Sequence, residues 1–267
     1  MEPKANLEDL SIKWKDNLAK WAIPDRILEL CEDDPWQIPA QLLMPQARAQ
    51  EKSPTMEKQL QLLPYQGTVL DVGVGAGSGS LYLAEYASEI IGVDQNSQML
   101  DIFIQQGKQR GIRTKAIKGT WPKISPQVQK TDLVISHHVA YNVANIVEFI
   151  QALFDYAKSG VVIEVTTQHP MASLNRFWEY FYQLKRPNRP NAKDLFEIIL
   201  AMGFDGVEYK EFKSKRNSDS NSYLPQRAEL IRRRLCLPKT SLGQVQDAIE
   251  KIGLPSSSEN ALISITK

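Results

Sequence analysis

The chain has 267 residues, 42% of them hydrophobic and 24% charged. That composition can bury a sizeable core and excludes a wholly disordered chain. A net charge of +1 argues against a dedicated nucleic-acid binder, whose affinity rests on a strong basic excess.

Residues 1–55 read as a helical arm without a strand of its own. Leu7, Leu10, Trp14, Leu18 and Trp21 recur at spacings of three and four, which predicts one apolar helix face. Pro24 suits the first turn of a second helix. Asp33-Asp34-Pro35-Trp36, then Pro39 and Pro45, read as loop. The first ten residues lack the features of a secretory signal, and no apolar run of about 18 residues predicts a membrane span. Cys31 and Cys236 stand far apart without a CxxC pair. This spacing predicts two free thiols in a reducing, cytoplasmic setting and no thiolate zinc site.

From Gly67 onward short β-rich runs alternate with helical ones. Strands are expected at Thr68–Val72, Glu89–Val93, Arg113–Ile117, Asp132–Ser136 and Gly160–Thr166. Helices are expected at Ser78–Ala87, Ser97–Gln109 and Ala144–Ala157. Near-continuous apolar strands imply a sheet covered on both faces, and strict alternation implies a doubly wound α/β fold. Beyond it, helices are expected over Met171–Leu184, Ala192–Met202, Gln226–Leu235 and Leu242–Ile252, with strands at Val207–Phe212 and Ala261–Thr266. Asn217–Ser222 and Pro255–Glu259 read as mobile polar connections.

The informative stretch is Val69-Leu70-Asp71-Val72-Gly73-Val74-Gly75-Ala76-Gly77-Ser78-Gly79. An apolar strand ends in an acid, glycines follow at alternate positions, and a helix is expected next. Glycines let a ligand approach the backbone, and a helix start offers free N–H groups. The dinucleotide fingerprint requires glycine at the sixth position. Counting from Gly73 or from Gly75, that position is Ser78 or Ser80. No Gly-Lys-Ser/Thr ending makes it a P-loop. Asp71, two residues before the first glycine, would repel a pyrophosphate but suits a cationic ligand. Asp94 ends the next strand, where a carboxylate can accept both ribose hydroxyls.

Asp71-x-Gly73-x-Gly75-x-Gly77 followed by Gly92-Val93-Asp94 resembles motifs I and II of class I S-adenosylmethionine-dependent methyltransferases. Asp132-Leu133-Val134-Ile135-Ser136 resembles their fourth-strand motif. The resemblance implies a seven-stranded Rossmann-like sheet with the last strand antiparallel. It implies S-adenosylmethionine as cofactor, its methionine part near Asp71, Gly73, Gly75 and Gly77, and its ribose on Asp94. Gln95, Met99 and His137 complete the expected cofactor wall. Many relatives carry an acid after the third strand; here Lys118-Gly119-Thr120-Trp121-Pro122 stands there. Thr120 and Trp121 are the expected adenine contacts. Residues 56–267 then form the cofactor-binding domain, with insertions at about 171–190 and 217–258. The insertion after the fifth strand and the arm are expected to close as a lid.

All three histidines follow strand ends on one edge: His137, His138 and His169. Methyl transfer mainly needs an in-line acceptor, plus a base when that acceptor carries a proton. His138 is the first candidate base, with His137 and His169 behind it. No His-Glu-x-x-His motif accompanies them, so no metal site is expected. The stripe Leu174, Phe177, Trp178, Phe181, Leu184 reads as core, leaving Tyr180 and Tyr182 to face a pocket. The expected acceptor is a small molecule. An RNA or protein acceptor is the alternative, since 185–239 holds 13 Lys/Arg against 7 Asp/Glu. A third reading is a non-catalytic protein that binds S-adenosylmethionine.

Overall fold

A computed structural model describes residues 6–36, 53–213, 224–254 and 259–267. Pro39, Pro45, Lys215, Arg216, Asn217–Ser222 and 255–258 lie outside the described residues.

The arm begins with α1 (Leu7–Ala19), capped by the Asn6 side chain, which accepts from Glu8 N. Its apolar face seats Trp14, which is buried, stacks on Tyr141 and donates from Nε1 to Val143 O at 2.8 Å. Pro24 caps the single turn α2 (Asp25–Leu28). The next helix is α3 (Pro54–Leu62), capped by Ser53.

Strands β1 (Gly67–Val72), β2 (Ala87–Asp94), β3 (Arg113–Lys118), β4 (Thr131–His137), β5 (Ala157–Thr166), β6 (Val207–Phe212) and β7 (Asn260–Thr266) form one sheet of order β3-β2-β1-β4-β5-β7-β6. β1 pairs in parallel with β2 and β4, and β7 runs antiparallel between β5 and β6. This is the doubly wound, Rossmann-like sheet expected from the alternating pattern. Successive strand residues point to opposite faces, and both faces are covered. Leu70, Val134, Val161 and Ile163 join α1, α5 (Ile146–Tyr156) and α7 (Ala192–Ala201) on one side. Val69, Leu133, Ile135 and Val162 join α4 (Ser97–Gln109) through Leu100 and Phe103 on the other.

The helix expected at Ser78–Ala87 is a five-residue 3₁₀ turn, Leu81–Glu85. Glycines and serines hold residues 77–80 in turn geometry, and β2 pairing already begins at Ala87.

A third cluster joins the arm to both insertions. Ile23 and Ile27 pack with Leu174, Phe177 and Trp178 around α6 (Asn175–Tyr182), and with α8 (Leu224–Arg234) and α9 (Leu242–Ile252) through Ala228, Ile231, Val245 and Ile249. One expectation is corrected here. Cys31 and Cys236 are not isolated thiols: they are disulfide-bonded across 205 residues, with Cα atoms 4.4 Å apart. Sequence distance is no guide, because the arm folds back onto the end of α8. The free-thiol argument for a reducing compartment therefore lapses. No described helix is long and apolar enough to cross a membrane. Tyr182 donates to Leu235 O at 2.7 Å, and the exposed Tyr180 meets Lys251.

The basic region is largely paired within the chain. Arg232 is 1% exposed and ion-paired with Asp33 and Glu229. Arg233 also pairs with Glu229, and Arg234 lies over Trp36. Arg186 sits between Trp21 and Trp178 and donates to Trp21 O and Ala22 O.

Candidate active site at the carboxyl edge of the sheet

β1, β2, β4 and β5 run parallel, so their carboxyl ends share one edge. Ligands of open α/β sheets sit beyond that edge. The glycine loop leaves β1 there. Gly73 and Val74 both donate to Val93 O, at 2.8 and 3.1 Å, which pins the loop to β2. Gly73 has φ +79°, and a Cβ there would lie 2.2 Å from Val139 Cγ2. Gly75 differs: its φ is +52°, yet an added Cβ meets nothing within 4 Å. Its place is demanded by the turn and opens outward as a cradle.

Asp94 reaches back to this cradle. Its Oδ2 accepts from Gly75 N at 2.9 Å and its Oδ1 from Asn96 N at 2.8 Å. It is half-buried, with Gln95 exposed and Met99 half-buried beside it at the start of α4. Asp71 is 1% exposed, and its Oδ2 has no partner among the described residues. Burial pushes its carboxyl up to about 7; the nearby Ser80 hydroxyl opposes that and the Asp94 charge adds to it. A buried carboxylate without a partner is costly, so this oxygen fits a cationic group brought by a ligand.

The three histidines part company. His137 receives the Gln59 amide nitrogen at 2.8 Å on Nε2 and packs against Gly79. Burial pushes it down to about 4. His169 lies flat under Trp21, ring centroids 4.0 Å apart, and its Nδ1 accepts from Met171 N. Burial, then the Arg186 charge, pushes it down to about 4 as well. His169 is thus held in the contact between the arm and the chain leaving β5. His138 alone is exposed. It takes a left-handed φ of +58°, donates from its backbone to Glu164 O at 2.7 Å, and sets Nε2 3.4 Å from Glu164 Oε1.

Glu164 is 9% exposed and accepts from Asn260 Nδ2 at 2.8 Å. Burial alone would raise its carboxyl, but His138, His137 and the Thr55 hydroxyl outweigh that and hold it at about 2. Tyr82, from the 3₁₀ turn, is half-buried, with a buried, unpartnered hydroxyl in the field of Glu164 and Asp71. Gln59, Thr55, Tyr82 and Asn260 escaped the reading by motif. They come from α3, the 3₁₀ turn and β7, and no local pattern marks them.

Trp121 is 6% exposed and meets Tyr156 edge-on at 5.1 Å. Its ring packs in the core, and Thr120 beside it, just past the end of β3, is exposed. A groove of about 490 Å³ between α3 and β6, lined by Glu57, Lys58, Glu208 and Lys210, touches none of these candidates. Among the described residues no group of acidic, His and Cys side chains is placed to hold a metal.

Residues 69–160 match the family model for a methyltransferase domain. No curated protein sequence matches the chain. Among solved structures, a Bacillus halodurans C-125 protein provisionally named a methyltransferase is similar over 80% of this chain and 96% of its own, at 14% identity and TM-score 0.51. The [4+2]-cyclase SpnF is similar over 79% of this chain and 78% of its own, at 16% identity and TM-score 0.51. A SAM-dependent methyltransferase of Archaeoglobus fulgidus is similar over 79% of this chain and 91% of its own, at 19% identity and TM-score 0.49. At such identities the likeness is one of fold, and the chemistry must be argued from the site.

Proposed function

We propose that the chain is a class I, S-adenosylmethionine-dependent methyltransferase that transfers a methyl group to a small-molecule acceptor, a reading supported by the match of residues 69–160 to the methyltransferase-domain model. The observation that carries the reading is the unpartnered Oδ2 of buried Asp71 beside the open Gly75 cradle. When bound, the cofactor supplies an electrophilic methyl group on a sulfonium. Asp71 would hold the cationic methionine end and Asp94 the ribose, while Gly75 lets the ligand lie against backbone and Gly73 and Gly77 let the loop pack on Val139 and Leu81.

His138 is the proposed base. Glu164 faces its Nε2, which favours a proton on that nitrogen and leaves the Nδ1 lone pair for an acceptor proton. The arm, with Trp21 over His169, and the insertion at 171–190 are the proposed lid. A nucleic-acid acceptor is disfavoured because Arg186, Arg232, Arg233 and Arg234 are engaged inside the chain.

Calorimetry with S-adenosylmethionine and S-adenosylhomocysteine tests the reading. Micromolar binding that Gly75→Val abolishes, with circular dichroism unchanged, is expected. No heat with either ligand at millimolar concentration would sink it. Binding without turnover in any metabolite mixture would favour the non-catalytic reading.

A further inference from the structure

We propose that the acceptor is an amine, bound as its cation against Glu164; this rests on the methyl-transfer reading above. Three carboxylates, Asp71, Asp94 and Glu164, end β1, β2 and β5 on one edge. Asp71 and Asp94 face the glycine cradle and suit the cofactor. Glu164 is the carboxylate left over. It stays ionised although buried, with the imidazole Nε2 of His138 3.4 Å from its Oε1. His137 and His169 are held neutral by burial. Arg186, whose charge reaches His169, is turned away onto the arm carbonyls.

The free hydrogen-bonding capacity here points the same way. Gln59 Oε1 is buried and unpartnered, and it can only accept. The hydroxyl of Tyr82 is also buried and unpartnered. Thr55 lies beside Glu164, and Tyr82 sits in the field of Glu164 and Asp71. Gln59 and Thr55 belong to α3, which packs on β5; Gln59 meets His137, the register partner of Glu164. An ammonium brings three donors and no acceptor, which matches this set. A carboxylate, phosphate or phenolate acceptor would meet the like charge of Glu164.

The step balances. His138 Nδ1 takes one N–H proton from the ammonium and leaves a lone pair on nitrogen. That pair forms the N–C bond to the methyl carbon as the C–S bond breaks, its electrons going to sulfur. The product is the methylated ammonium, and His138 returns its proton to solvent. Asn260, hydrogen-bonded to Glu164, is a positioning residue for the carboxylate.

The test incubates the full chain with S-adenosylmethionine carrying a ¹³C methyl group and a cell extract split by ion exchange into cationic, neutral and anionic metabolites. Carbon–proton correlation spectra then identify the atom that bears the label. Label on nitrogen, in the cationic fraction, is expected. Label on oxygen, carbon or sulfur, or in the anionic fraction, overturns the proposal. No labelled product while S-adenosylhomocysteine still binds overturns the transferase reading, and this inference falls with it. Glu164→Gln should cut transfer by about 10²-fold while the affinity for S-adenosylhomocysteine changes little. Unchanged transfer in that variant removes Glu164 from the site.

Discussion

Trp21 lies flat on His169, ring centroids 4.0 Å apart and planes within 9°. The contact fastens the arm to the chain leaving β5, just beyond the edge where the acceptor is expected. Trp21 also donates from Nε1 to Arg189 O at 2.7 Å and is 5% exposed. Trp21→Ala should therefore cost about 3–5 kcal/mol, the usual range for deleting a buried indole. Urea unfolding would measure it. A loss under about 1 kcal/mol would mean the arm is loosely held and contributes little to the fold.

Asp94 carries two duties. Its carboxylate pins Gly75 N and Asn96 N, and it is placed to receive ribose hydroxyls. Asp94→Ala should weaken binding of S-adenosylhomocysteine by about 1.5–3 kcal/mol, the range for hydrogen bonds to a charged group. Calorimetry of both Asp94→Ala and Asp94→Asn separates loop support from ribose contact. Unchanged affinity in both variants would remove Asp94 from the ligand set.

The raised Asp71 carboxyl predicts a pH signature. Its folded value, about 7 against an ordinary 3.8, means the free protein holds this proton up to neutral pH. The resulting stability is complete below about pH 4 and is lost as pH rises through 7. A cationic ligand needs the ionised form. Affinity for S-adenosylmethionine should climb by up to about tenfold per pH unit below 7 and level off above it. Asp71→Asn should flatten that climb in titrations run from pH 5 to 8.5. A wild-type affinity that is flat over this range would place the cationic end elsewhere.

The Cys31–Cys236 bond closes a very long loop and ties the arm to α8 beside the Arg232–Asp33 pair. Cys31→Ser should lower the stability of the oxidised protein by about 2–4 kcal/mol. Intact mass before and after reduction, paired with thermal melting, checks it. Equal melting temperatures in oxidised and reduced protein would show that the hydrophobic cluster around Ile27 and Ile231 holds the arm alone.

His138→Ala should lower turnover by about 10²–10⁴-fold, the usual yield of a general base, with affinity for S-adenosylmethionine nearly intact. His137→Asn should instead act through the fold. Its ring is buried against Gln59 and Gly79, so unfolding should show the larger change. Wild-type turnover in His138→Ala would leave the acceptor without a histidine base.

The apolar runs from Val69 to Val72 and from Val161 to Val165 are buried on both sides in the fold, and local patterning made them legible as central parallel strands. The acid and glycine spacing of 71–77 marked the cofactor edge, because that chemistry needs those residues adjacent in sequence. Other features depend on long-range packing. The disulfide joins residues 205 positions apart, and the clustering of Thr55, Gln59, Tyr82, Glu164 and Asn260 requires α3 and β7 to meet the same edge. The 3₁₀ turn after the glycine loop was likewise decided by tertiary context, where sheet pairing at Ala87 overrides helix propensity. Periodicity and short motifs record what neighbours along the chain must do together. Which histidine is buried, stacked or left free depends on what the rest of the chain lays over it, and only the folded arrangement sets that.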